Sequence, residues 1–294
     1  MKDRTLAYGL LVPAFLIVLA TTLYPLAYSF VTSFREWDLT KQRRPSGFVG
    51  LENYVHAAGE RGFQNSLWVT TVFVVASVAL TMILAMSLAL LLRREGRLHA
   101  FTRIVLILPF AMSPALIGVS YRFMFNPEFG VIARGLGAAF PALRGTPWLA
   151  DPDLAMAILV LTDVWHWTPY MTFMCLGGLA SVPRETEEAA RIDGASSLRI
   201  VFGIVLPQMR GVLVVVAVLK TVFALKMFDQ VVTLTGGGPG TSTETLAYFI
   251  FNVGFEWYDM GYASALAWIL TAIMMLISIW YVRMLLDDRR TAMA

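Results

Sequence analysis

The chain carries a single cysteine, Cys175, and only three histidines, His56, His99 and His166, far apart in sequence. One thiol forms no intrachain disulfide, and no Cys/His spacing suits a structural metal. The histidines read as structural or interfacial residues. Charge is also scarce: Asp, Glu, Lys and Arg make up 15% of the residues, where a soluble domain carries about a quarter. The net charge of +3 says less about partners than the placement of each charge does. No His/Asp/Glu metal cluster and no nucleophile–base set points to a catalytic site. A phosphate-cradling loop needs Gly-x4-Gly-Lys-Ser/Thr, and no lysine follows the glycine-rich stretch Gly236-Gly-Gly-Pro-Gly240. That stretch reads as a flexible turn, and the chain itself is expected to bind no ATP. Solenoid repeats and low-complexity tails are absent too.

What the chain has is apolar surface: 57% hydrophobic residues and a mean hydropathy of +0.67. A membrane-spanning helix needs about 20 mostly apolar residues, and six stretches meet that length, at about 6–30, 66–92, 102–125, 154–180, 211–235 and 261–286. Backbone polar groups cannot be left unpaired in lipid, so each run is predicted to be a helix. Pro13, Pro25, Pro109, Pro114 and Pro169 fall inside these runs and predict kinks. Lys2 and Arg4 precede the first run, which is too long for a signal-peptide core and has no clean cleavage site, so it is read as a retained anchor. The expectation is one all-α integral membrane domain over residues 1–294.

The cationic residues set the orientation. With the N-terminus in the cytoplasm, thirteen lysines and arginines fall on that side: Lys2, Arg4, Arg93, Arg94, Arg97, Arg103, Arg184, Arg191, Arg199, Arg210, Arg283, Arg289 and Arg290. Eight fall outside: Arg35, Lys41, Arg43, Arg44, Arg61, Arg122, Arg134 and Arg144. Both termini are therefore expected to be cytoplasmic. Trp37, Trp68, Trp148 and Trp257 lie near the proposed outer ends, as an aromatic belt would.

Charges inside the apolar runs are costly, about 2.5–3.5 kcal/mol each on insertion scales, and face a partner or a wet cavity. In the fourth run Asp163, His166, Trp167 and Tyr170 share one helical face. A carboxylate beside aromatic rings suits a sugar; helix packing is the alternative reading. In the fifth run Lys220 and Lys226 lie within the apolar stretch, and Lys226 and Asp229 are i, i+3 neighbours able to pair. That pair is either part of a substrate pathway or purely structural.

The loop at about 181–210 carries the densest signal. Ser181 is a candidate N-cap with Pro183 in the first turn, and Glu185, Glu187 and Glu188 lie near the positive end of a helix dipole. Asp193-Gly194 predicts a helix stop. Ser196 or Ser197 caps a second helix, which Pro207 ends or bends. Ala189 and Ala190 present a small surface to a close-packing protein, and Arg191 is placed to pair with Glu188. On physics alone, either a docking element or an amphipathic connector on the membrane surface fits.

The string Glu188-Ala189-Ala190, then Gly194, then Ile204-x-Leu206-Pro207 resembles the EAA signature of binding-protein-dependent ABC importer permeases. Further segments resemble the carbohydrate permeases of the maltose, lactose and glycerol-3-phosphate type: Pro13-Ala14, Tyr24-Pro25, Ser33-Phe34, Phe48-Val-Gly-Leu-Glu-Asn-Tyr54, Leu108-Pro109, Met124-Phe-Asn-Pro127 with Gly130, and Leu234-Thr-Gly-Gly-Gly-Pro239. The resemblance covers nearly the whole chain and implies the six-helix type I importer permease fold. It also implies an EAA coupling element formed by Glu188, Ala189, Ala190, Asp193, Gly194, Ile204, Leu206 and Pro207. The implied partners are a second permease subunit, two ATPase subunits that bind ATP and Mg, and a periplasmic or lipid-anchored solute-binding protein. The implied cargo is a sugar-like substrate, and the implied location is the bacterial inner membrane, with no cofactor and no nucleic acid bound by this chain. Asp163, Trp167, Tyr170, Lys226 and Asp229 are its candidate pathway residues. An ion-coupled secondary transporter is the rival reading, and no internal inverted repeat favours it.

Overall fold

The computed structural model describes residues 2–93 and 96–291, with the backbone alone at 2–8, 10, 97–100 and 285–291; Arg94 lies outside the described residues, and His99 is described by its backbone only. By internal packing the chain divides into two units, residues 1–64 with 249–272 and residues 65–248 with 273–294. Among the described residues no strand forms; Arg35–Phe48 and Asp38–Asp259 are isolated bridges.

The first unit begins with α1 (Lys2–Val18), which passes through a π turn at Leu19–Leu23 into α2 (Tyr24–Thr32). The span Leu11–Thr32 is apolar all round, and Leu11, Phe15 and Ile17 are each 63% exposed. A helix with exposed apolar residues on every side has lipid or a partner as its solvent. The quoted segments of the first loop then meet one another. Asn53 Nδ2 donates to the Ser33 carbonyl at 2.9 Å, the Ser33 and Tyr54 hydroxyls lie 2.7 Å apart, and Val49 N–H donates to the Phe34 carbonyl at 2.9 Å. That network ties α3 (Glu52–Gly59) to the end of α2. In the same loop the Thr40 hydroxyl, with Lys41 beside it, holds the Asp38 carboxyl down at about 2.

The second unit contains most of α4 (Arg61–Leu92), then α5 (Arg97–Ala111), α6 (Pro114–Met124), α7 (Val131–Ala139) and α8 (Pro152–Leu179). The loop helix α9 (Arg184–Ile192) comes next. α10 (Ser197–Ile200), a π turn and α11 (Leu206–Gln208) form one continuous rod, and α12 (Arg210–Leu225) follows. α13 (Leu246–Phe251) and α14 (Met260–Thr291) complete the chain, and α4 and α14 each run through both units.

Among the described residues three helices are long and apolar enough to cross a membrane, Leu11–Thr32, Arg61–Leu92 and Met260–Met284, or up to five if each of two bent helix pairs counts as one span. α8, 28 residues long, is the enclosed one, with buried residues on every turn from Ala155 to Leu179. Two predicted spans are corrected from single helices to broken ones. The run at 102–125 bends by 93° between α5 and α6, because Met112 and Ser113 are extended and the residue before a proline avoids the helical region. The run at 211–235 is entered through a 75° bend between Ser197–Gln208 and α12, and its helix stops at Leu225. A separate π turn, Val231–Thr235, follows and ends on left-handed Gly236.

That turn packs on α6 where a side chain is missing. A Cβ on Gly118 would lie 1.9 Å from Thr233 Oγ1 and 3.4 Å from Gln230 Cα, so only glycine allows this approach. Trp148 is a further correction: it is 8% exposed, with its ring 5.8 Å from Phe125, and so belongs to the core rather than to an aromatic belt. Trp68 and Trp257 are exposed at 67% and 53%.

Candidate functional site

Two groups of residues combine charge, aromatic rings and exposure. The first stands at the helix break. The last turn of α5 holds Pro109 and Phe110, and the Pro109 carbonyl lies 3.0 Å from His166 Nδ1 of α8. Phe110 stacks on Tyr170 with centroids 4.8 Å apart and planes at 15°, and its centroid is 5.7 Å from that of Trp167. Trp167 in turn stacks on Phe223 of α12 at 4.2 Å and 15°. Trp167, Tyr170 and Phe223 are partly exposed, so the rings form one wall with an accessible face.

Asp163 lies behind that wall. It is fully buried, accepts a hydrogen bond from the Ser77 hydroxyl of α4, and forms an ion pair with the equally buried Lys220 of α12. Lys220 Nζ also sits 5.9 Å from the centre of the Trp167 ring, within cation–π range. The partner of the buried carboxylate is therefore Lys220, 57 residues away, which the sequence left unpaired. A lone aspartate in the fourth apolar run and two lysines in the fifth were the signal available.

The predicted Lys226–Asp229 pair is corrected: no ion pair joins them, and both are exposed. α12 ends at Leu225, so Lys226 and Asp229 no longer share a helical face. Lys226 Nζ instead stands 5.7 Å from the Phe223 ring centre.

The second group is the loop at 181–210. α9 starts at Arg184 with Pro183 in the capping position and no side-chain cap. The Ser181 hydroxyl instead donates to the Gly178 carbonyl at 2.7 Å, closing α8, so Ser181 as an N-cap is corrected. At the other end Gly194, φ +81°, donates to the Arg191 carbonyl at 3.1 Å, and Ala195 N–H to the Ala190 carbonyl at 2.9 Å. That pair of bonds is a Schellman motif, the stop that Asp193-Gly194 predicted. Ser196 then caps the next helix, its hydroxyl accepting from Arg199 N–H at 3.4 Å. The chain bends two residues after Pro207, at Met209.

Glu188, Ala189, Asp193, Gly194 and Pro207 are exposed, while Ala190, Ile204 and Leu206 are partly buried. Ile192 is 86% exposed, Leu198 71% and Phe202 68%. The Glu188–Arg191 pair is corrected: both are exposed and no ion pair joins them. It is Glu187 that pairs, with Arg93 just past α4, at 2.5 Å. The glycine-rich turn at 236–240 closes on itself rather than staying loose. Gly236 N–H donates to the Val231 carbonyl at 2.7 Å, and Thr243 Oγ1 lies 2.8 Å from both the Gly238 carbonyl and Thr235 Oγ1.

The same architecture occurs in solved transporters. The crystal structure of a bacterial alginate ABC transporter in complex with an alginate pentasaccharide-bound periplasmic protein contains a chain that superposes with a TM-score of 0.82 at 18% identity, over 96% of this chain and 94% of that one. A methionine ABC transporter chain superposes at 0.54 over 74% of this chain and 92% of its own. Sequence relatives run nearly end to end. The sulfoquinovosyl glycerol transport system permease protein SmoG of Agrobacterium fabrum is 34% identical over 97% of this chain and 92% of its own length. The trehalose/maltose permease protein MalF of Thermococcus litoralis is 33% identical over 94% and 91%. The sn-glycerol-3-phosphate permease protein UgpA of Brucella suis is 33% identical over 96% and 94%. Residues 66–289 match the family model described as the binding-protein-dependent transport system inner membrane component, and the chain belongs to that family.

Proposed function

We propose that this permease is the membrane-spanning subunit of an ATP-driven importer for a sugar or sugar derivative, with α9 and its Gly194 turn as the element seated in a partner ATPase. The exposed helix–turn–helix at 184–208 carries the reading. It is fixed by its own backbone bonds yet presents Ile192 at 86% exposure beside Ala189 and Glu188. Apolar and small residues held outward on a rigid turn suit a protein groove better than water. The sugar assignment leans on relatives named for sulfoquinovosyl glycerol, trehalose/maltose and glycerol-3-phosphate transport. The full machine then includes a second permease, two ATPase subunits holding ATP and Mg, and a solute-binding protein; this chain contributes no catalytic group. Both termini lie in the cytoplasm.

The substrate passes the aromatic wall. Trp167, Tyr170 and Phe223 offer ring faces to a sugar, and the adjacent break between α5 and α6 suits a mid-membrane site, where discontinuous helices bring backbone polar groups. Asp163 acts from behind through Lys220, and Lys226 and Asp229 supply polar groups beyond α12.

The test is reconstitution in proteoliposomes. The chain alone is expected to hydrolyse no ATP. With its ATPases, second permease and loaded binding protein, it should hydrolyse ATP and accumulate solute. Solute accumulation by the chain alone on an ion gradient would overturn the reading. In the same preparation Trp167→Ala should raise the KM of uptake roughly two- to tenfold, the equivalent of about 0.5–1.5 kcal/mol for one aromatic contact. An unchanged KM would remove the wall from the pathway.

A further inference from the structure

α9 is built inside out. Of its nine residues only Glu187 is buried, at 7% exposure, while Ile192 points outward at 86%. Glu187 meets Arg93, whose side chain is 22% exposed. The 2.5 Å approach is a charge contact rather than an aligned hydrogen bond, since Oε1 has no well-directed donor. An apolar residue at this position would hold α9 in place at least as well. Buried ion pairs give little net stability against apolar packing, and their best-attested use is to fix register or to switch.

The pair faces a cleft of about 700 Å³ whose lining also includes Arg184, Arg191 and Glu188. Water has room to enter there, and two further cations stand within the same cleft. The helix end that supplies Arg93 is tied a second time: Arg103 Nη2 of α5 donates to the Leu92 carbonyl at 2.6 Å. One turn at the end of α4 therefore holds α9 through Glu187 and α5 through Arg103. α5 leads directly to Phe110 and the break beside the aromatic wall.

We infer that Arg93 and Glu187 are positioning residues that transmit the displacement of α9 to α4 and, through the Leu92–Arg103 contact, to α5. The inference rests on the reading of α9 as the ATPase-coupling element. A packed apolar contact would transmit motion only while in register. An ion pair beside a wet cleft parts and re-forms as α9 tilts, and it holds direction through charge rather than shape.

The experiment uses the assembled importer in proteoliposomes, with MgATP and with the binding protein carrying the ligand with which it purifies. The readout is the ratio of ATPase rates with and without binding protein, alongside the ATPase copurified per permease. Arg93→Ala and Glu187→Ala should each lower the ratio at least fivefold by raising the rate without binding protein, with ATPase content unchanged. The charge swap R93E/E187R should recover at least half of the wild-type ratio, and Arg93→Lys most of it. Wild-type ratios in both single variants would overturn the proposal. So would a swap no better than the single variants, which would mark a packing role, or loss of the ATPase from them, which would place the pair in docking. A cysteine cross-link from Ile192→Cys to the ATPase, made in the same preparations, reads the coupling assignment separately. Its absence removes that assignment; its presence together with wild-type ratios removes the pair alone.

Discussion

Lys220→Met is expected to deplete the membrane of folded permease, and Asp163→Asn on the same chain to restore most of it. Both partners are fully buried, and among the described residues the Ser77 hydroxyl is the only other group bonded to the carboxylate. Removing the ammonium leaves an unpaired carboxylate enclosed by α4, α8 and α12. Breaking one side of a buried pair costs about 3–5 kcal/mol, a large share of a total stability of about 5–15 kcal/mol. Asp163→Asn alone strands the ammonium and should be comparably harmful. The double replacement D163N/K220M removes both charges at nearly constant volume and leaves the Ser77 hydroxyl an amide oxygen to bond. The measurement is the monodisperse fraction of detergent-solubilised protein, with the midpoint of its thermal denaturation. Single variants should lose most of that fraction, and the double variant should regain at least half of the wild-type level. If the single variants match wild type, water reaches this site and the pair is not what holds the three helices.

The same pair marks where sequence reasoning reached its limit. The apolar runs were legible because lipid demands about 20 apolar residues per span, and α4 and α14 lie where those runs place them. The stop at Asp193-Gly194 was legible because a Schellman motif is local chemistry. The break at Met112-Ser113 was only half legible: Pro114 announced a kink, but a 93° bend depends on what packs beneath it. The Lys220–Asp163 contact bridges 57 residues and the Ser77 contact 86, so helical spacing had no access to either. Local spacing instead offered Lys226 and Asp229, which failed as a pair because α12 ends one residue before Lys226. Glu187–Arg93 was hidden for another reason. An amphipathic reading turns carboxylates outward, and here the charged position faces in.

Gly194→Pro is expected to lower ATP-dependent uptake at least tenfold while leaving the amount of permease in the membrane unchanged. Gly194 has φ +81°, and proline is confined to about −65°, so the turn cannot survive the substitution. The bond from Gly194 N–H to the Arg191 carbonyl is lost with it. The residue is exposed and stands outside every apolar run, so insertion has no reason to fail. The remaining series separates backbone from side chain. A Cβ at this position meets nothing within 4 Å, so Gly194→Ala suffers only backbone strain, about 1–2 kcal/mol. Gly194→Asn, which tolerates the left-handed region, should be milder still. Uptake should therefore fall in the order Gly, Asn, Ala, Pro, whereas a role resting on the small size of glycine would make Asn worse than Ala. Glu188→Lys probes the same element through charge. Glu188 is exposed, with no ion-pair partner among the described residues, and its reversal leaves Arg93–Glu187 in place. Its effect should appear as less ATPase copurified per permease. Wild-type uptake and ATPase content in both Gly194→Pro and Glu188→Lys would mean that the partner grips the permease elsewhere.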